Sequence, residues 1–290
     1  MKNNDFNKKA ISRKKRGEIS KEDLANYEKL TIKELIILLN DENSQKRTIA
    51  ATLLKNKNTK NNKLAIKSLA KAFKIEKALY TRLAISDSLA SYGEEAIPYL
   101  IDLLGKIGNN QEKELPKKYF DKKSFPLPRD LAARTLAKMG NTPTPFLIEL
   151  LEDYSDNYSN FVKEQAVDAI GAIAYKNNDY RALYSLQDLF LVVNSKNLNI
   201  FNINDNLTVI WKIVRSLSGF KKEKNALKLV IKILESYKDY SEIQWEAIRS
   251  IGQIGILNKD VKLIFKNYEN NSNSQIKLAL SVSKEILELL

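Results

Sequence analysis

The 290 residues include no histidine and no cysteine. Thiol nucleophiles, imidazole bases, disulfides and zinc or haem sites built on Cys or His are excluded together. Carboxylate, Lys, Tyr and Ser/Thr chemistry remains, and no acid–base pair stands out among those residues. The expectation is a non-enzymatic protein with no catalytic residues, no metal and no cofactor.

Residues suited to binding are plentiful. Lys60, Lys63, Lys67, Lys71 and Lys74 step by three or four, and so do Lys221, Lys224, Lys228 and Lys232. That spacing gathers each set on one helix face. Such a stripe is either a solvated face or a grip for an acidic partner or a phosphate backbone. Tyr119, Phe120, Phe125 and Phe201 lie in two long stretches without helical periodicity, at 106–127 and 194–204. They form either an aromatic contact edge or clamps tucked onto helices. Trp211 with Arg215 and Trp245 with Arg249 share an i,i+4 spacing, which reads as packing.

The net charge is +13, and Lys outnumbers Arg 39 to 9. Together with abundant Asn, this composition looks like background from an A/T-rich genome, so the charge is a discounted signal for nucleic acid. Residues 1–19 are polar and basic, with Arg13-Lys14-Lys15-Arg16 as a compact cluster, and read as a disordered arm. No secretory h-region opens the chain, and no run approaches the roughly 18 apolar residues that span a bilayer. The expected location is the cytoplasm, without membrane association.

The elements that must position these residues are helices. Apolar content of 43% is ample for a core, and nine Gly and six Pro are too few for an all-β fold with many tight turns. Thr31 and Glu34 form a capping box ahead of a helix over 31–40. Helices are predicted at 44–55, 62–74, 76–92 and 94–105. The pair over 128–153 is stopped between its helices by Gly140 and restarted by Thr142-Pro143. Further helices are predicted at 160–175, 179–193, 205–218, 221–236, 241–255, 258–268 and 273–290. The last is apolar on more than one side, which raises a dimer as an option, although a monomer is the expectation.

Alternate helices repeat. Ile85/Leu89/Tyr92/Gly93 aligns with Ala132/Leu136/Met139/Gly140, then Ala166/Ile170/Ile173/Ala174, Ile210/Val214/Leu217/Ser218 and Ala247/Ile251/Ile254/Gly255. Successive copies lie 47, 34, 44 and 37 residues apart. One helix pair cannot bury both its sides, so a period of this size predicts stacked pairs. The expected fold is all-α: a single α-solenoid over 20–290, of about six or seven antiparallel pairs.

The pattern resembles the HEAT-repeat family, in its short HEAT-like, phycobilisome-lyase-type form. The resemblance rests on Asp41, Arg47, Ala51 and Leu54, on Arg129, Ala132, Leu136, Gly140, Ile148, Leu151 and Asp153, and on Glu246 through Gly255. It implies a scaffold or adaptor that binds proteins along a concave surface formed by the second helices. The two Trp/Arg pairs are also loosely similar to the Trp, Asp and Arg that HEAT-like alkylpurine DNA glycosylases use, but no matching Asp is evident. The second helices between the two Lys stripes carry Glu149, Glu152, Asp153 and Asp188. A groove basic at both ends and mildly acidic between suits a protein partner, an acidic one included, better than a nucleic-acid track. A nucleic-acid-binding solenoid, with DNA repair as one option, is the alternative. The partner-binding candidates are therefore Lys63, Lys67, Lys71, Lys224, Lys228, Lys232, Tyr119, Phe120 and Phe125.

Overall fold

A computed structural model describes residues 10–57, 62–108, 110–120, 123–155, 157–195 and 203–288, with backbone alone at 203–205. Every regular element among the described residues is helical. The chain divides into two compact units, Met1–Ile107 and Gly108–Leu290, where the periodicity predicts one continuous array.

The first unit holds a single turn α1 (Glu22–Ala25), then α2 (Ile32–Leu38), α3 (Ser44–Asn56), α4 (Lys63–Ile75), α5 (Leu79–Ser91) and, after a 3-10 turn at Gly93–Ala96, α6 (Ile97–Ile101). The capping box forms as expected. The Thr31 amide donates to Glu34 at 2.7 Å, and the Glu34 amide donates to the Thr31 hydroxyl. The predicted 94–105 helix is split, because Pro98 has no N–H for an interior position and falls at the start of α6 instead. The predicted 76–92 helix starts late. The Glu76 carboxylate is taken by Arg47 at 2.7 and 2.9 Å and by the amides of Lys77 and Ala78. Residues 1–9 of the expected arm lie outside the described residues. Residues 10–15 are helical, and the Arg16 carbonyl accepts from the Tyr80 amide at 3.0 Å. The Lys15 carbonyl accepts from Ser44 Oγ at 2.9 Å, so this basic stretch is held onto α3 and α5.

The second unit contains α7 (Leu131–Leu136), α8 (Thr144–Glu152), α9 (Asn160–Asn177), α10 (Leu183–Asn194), α11 (Ile203–Leu217), α12 (Lys224–Ser236), α13 (Ser241–Ile254), α14 (Lys259–Tyr268) and α15 (Ser274–Ile286). The first helix of the 128–153 pair is shorter than predicted. Its cap is the buried Asp130, which accepts from the Ala133 amide at 2.8 Å.

The first helices α9, α11, α13 and α15 pack each on the next. A hydroxyl marks every step. Ser216 donates to the Val167 carbonyl at 2.8 Å, Ser250 to Val214 at 2.9 Å and Ser283 to Ile248 at 2.9 Å. The helices approach closely because small residues face these serines. A Cβ on Gly171 would lie 2.6 Å from Ser216 Oγ, and one on Gly252 would lie 2.6 Å from Ser283 Cβ. These close contacts sit one residue past the aligned Ile170 and Ile251, where the chain carries Gly171 and Gly252.

Candidate functional site

Two surfaces of the second unit gather charged and aromatic side chains, one exposed and one covered. The exposed one is built on α8, α10 and α12. Ser185 on α10 donates to Glu152 on α8 at 2.8 Å. Tyr237, just past α12, donates to Asn194 on α10 at 2.8 Å, and Lys232 Nζ lies 5.9 Å from the Phe190 ring centroid. These contacts hold the three helices side by side. Their outward side chains include Glu149, Glu152 and Asp188, the exposed Tyr184 (64%) and Leu191 (42%), and Lys224, Lys228 and Lys232. The lysines point outward because Ala226, Leu227, Val230, Ile233 and Leu234 claim the inner face of α12. Lys221 sits 4.1 Å from the ring centroid of Tyr175.

The other predicted stripe is on α4, in the first unit. Lys63, Lys67, Lys71 and Lys74 are all exposed opposite Ala65, Ile66, Leu69, Ala70 and Phe73. Lys60 and Phe201 lie outside the described residues.

The covered surface lies under residues 110–120 and 123–127, an irregular stretch of chain. The aromatics here, for which the sequence offers a contact edge or clamps tucked onto helices, turn inward. Tyr119 is buried, edge-on to Trp245 with centroids 5.4 Å apart. Phe120 is half-buried against the Arg249 guanidinium at 5.2 Å, and Phe125 stacks on Tyr175 at 5.1 Å. Their apolar area gains more from the helices than from water. The backbone is tied down as well. The Tyr119 amide donates to Gln275 at 2.7 Å, the Ser124 carbonyl accepts from Arg249 at 3.2 Å and the Lys123 carbonyl accepts from Gln253 at 2.8 Å.

Beneath this stretch is a buried charge network. Glu164 and Asp168 come from α9, Lys212 and Arg215 from α11, Glu246 and Arg249 from α13, and Glu112 from the covering stretch. Lys212 Nζ is 3.3 Å from both Glu164 and Asp168 and 3.8 Å from Glu112. Arg215 bonds Asp168 at 2.5 Å and Glu112 at 3.1 Å, and its guanidinium lies 4.3 Å from the Trp211 ring centroid. Arg129 reaches Glu112 from the rim at 3.0 Å. Arg249 bonds Glu246 at 3.0 Å. Trp211 and Trp245 meet edge-on at 6.3 Å, both buried, in keeping with their reading as packing residues.

The electrostatics divide the network. Burial is the largest influence on Asp168 and pushes its pKa up, but the charges of Arg215 and Lys212 outweigh it and hold the carboxyl below its usual range. Burial likewise opposes the Arg215 charge, and Asp168 and Glu112 overcome it, so its pKa is raised. For Glu246 burial prevails over Arg249 and Arg215, and its pKa is raised above the ordinary 4.5. Among the described residues, no three of these carboxylates are placed to hold a metal ion.

Sequence reasoning did not find Glu112, Glu164, Asp168, Lys212 or Glu246. Two of them carry a signal: Lys212 and Asp168 each interrupt an apolar helical run. Lys212 sits in Val209-Ile210-Trp211-Lys212-Ile213-Val214, and Asp168 in Ala166-Val167-Asp168-Ala169-Ile170. Glu112 has no such signal, because its segment has no periodicity. Asp168 also supplies the carboxylate partner that the Trp211/Arg215 pair lacks in sequence.

No helix among the described residues is long and apolar enough to cross a membrane. No family model matches the chain, and no curated protein matches it. Two crystal structures of engineered proteins align with it. One is 18% identical over 89% of this chain and 99% of its own, with a TM-score of 0.34. The other is 17% identical over 89% and 96%, with a TM-score of 0.38. Scores that low tie the chain to neither in architecture or in activity.

Proposed function

We propose that the protein is a HEAT-like α-solenoid acting as a non-enzymatic scaffold, and that it binds a protein partner across the exposed face of α8, α10 and α12. The observation that carries this reading is the mixture on that one face. Carboxylates of α8 and α10, the exposed Tyr184 and Leu191, and the lysines of α12 lie on adjacent helices. Protein interfaces combine an aromatic and apolar centre with complementary charge at the rim. A nucleic-acid track needs unbroken positive potential, and here Glu149, Glu152 and Asp188 would repel a phosphate backbone beside the α12 lysines. The nearest approach to an acid–base constellation is the covered network, whose carboxylates and cations are paired with one another, which also favours a binding role.

The test uses full-length protein with two sets of changes, Tyr184→Ala with Leu191→Ser, and Lys224→Glu with Lys228→Glu and Lys232→Glu. Proteins captured by the parent are quantified against both. At least one partner should be lost roughly tenfold with each set, the range expected when a central anchor is truncated. Capture unchanged by both sets would sink the reading. So would duplex binding that weakens steeply with salt and is abolished by the Lys changes alone, which is the nucleic-acid alternative.

A further inference from the structure

We propose that the groove across α9, α11, α13 and α15 is a recognition site for an acidic–aromatic peptide segment, and that residues 110–120 are its internal occupant. This stretch has no regular secondary structure of its own, yet it is bound as a ligand would be. Its one buried carboxylate, Glu112, draws in three cations: Arg129 at 3.0 Å, Arg215 at 3.1 Å and Lys212 at 3.8 Å. Seven and eight residues later, Tyr119 and Phe120 fill aromatic positions against Trp245 and the Arg249 guanidinium. The Tyr119 amide is read by Gln275 at 2.7 Å. A carboxylate anchor followed at that spacing by two rings is thus the chemistry this groove selects.

A second observation points to a ligand beyond the chain's own segment. Trp211 Nε1, Arg249 Nε and Glu246 Oε2 are buried without a hydrogen-bond partner among the described residues, though Trp211 is 3% and Arg249 1% exposed. The internal occupant leaves two donors and an acceptor unused in the centre of the site. Buried polar groups are nearly always paired, and leaving them unpaired weakens an interface. A partner segment that keeps the carboxylate and rings and also offers an acceptor to Trp211 and Arg249 would displace residues 110–120. This site lies on the first helices and does not depend on the α8–α10–α12 face.

The experiment measures binding of a labelled peptide with the sequence of residues 110–120 to full-length protein by fluorescence anisotropy. The tethered segment competes at an effective concentration near millimolar, so the parent chain should bind little. The variant carrying Glu112→Gln, Tyr119→Ala and Phe120→Ala should bind at least tenfold more tightly than the parent. A peptide with Glu112→Gln should lose most of that gain. Equally weak binding to parent and variant, with the variant still unfolding cooperatively, overturns the proposal. Should the variant not fold, hydrogen exchange on the parent decides. The Tyr119 amide should exchange at least tenfold faster than the amides of α13, and exchange only with global unfolding overturns the proposal.

Discussion

Lys212 and Lys228 sit on adjacent helices of one unit, in runs equally rich in apolar residues, and their environments are opposite. Lys228 is solvent-exposed on α12 and has four-residue neighbours of the same charge. Lys212 is fully buried on α11, with three carboxylates within 4 Å. A lysine on the outward face of a two-sided helix has room to dissolve in water. A lysine on a helix packed on both flanks and covered above must find its counter-charges inside. The first kind is free to meet a partner; the second is committed to the protein's own architecture.

The largest test of this comparison removes a buried cation. Lys212→Met should cost about 3–5 kcal/mol in urea unfolding, because it leaves Glu164 and Asp168 buried with one fewer counter-charge. Asp168→Asn should fall in the same range by taking one counter-charge from both Arg215 and Lys212. A loss below about 1 kcal/mol for both would show that the network is solvated and that the contrast with α12 is empty.

The steric counterpart comes next. Gly252→Ala forces a Cβ against Ser283 and should cost about 1–3 kcal/mol, measured as a shift in the urea midpoint. Gly93 meets nothing within 4 Å, so Gly93→Ala should lose only what its φ of +61° imposes.

Smaller still, and partly reversed in sign, is Glu246. Its pKa is raised in the folded state, so ionising it costs more in the folded protein than in the unfolded chain. Stability attributable to Glu246 should rise as pH falls from its raised value toward 4.5. Asp168, with its lowered pKa, contributes stability above the ordinary carboxylate range that is lost as pH falls through its depressed value. Glu246→Gln should therefore abolish this gain on acidification, read from urea unfolding across pH. If Glu246→Gln proves as damaging as Asp168→Asn, the two carboxylates are not distinguished as described. Least of all, Lys224→Ala or Lys228→Ala should leave stability within about 0.5 kcal/mol while weakening partner capture.

Much of the fold was legible because helix periodicity and caps are local. Thr31 with Glu34, and Asn43 ahead of α3, specify helix starts within a few residues of chain. The stripes on α4 and α12 were equally readable, since exposure follows from the apolar face opposite. Whether residues 110–120 turn inward or outward was not decided by the sequence, which offered both readings. Tyr119 and Trp245 are 126 positions apart, and nothing local tells an aromatic in a loop whether water or a distant helix receives it. The buried network was half-visible, in charges placed inside apolar runs, but pairing Asp168 with Arg215 required the packing of α9 on α11.

The serines along α9, α11, α13 and α15 have a mechanical consequence. Ser216, Ser250 and Ser283 each fasten one first helix to the helix before it. Under tension applied at the C-terminal end, α15 has one such fastening and α13 has two, so load reaches one helix interface, with its hydroxyl bond, at a time. The second unit should then yield as a succession of small ruptures spaced by one helix pair, with the covering stretch, bonded across α11, α13 and α15, setting the height of the first.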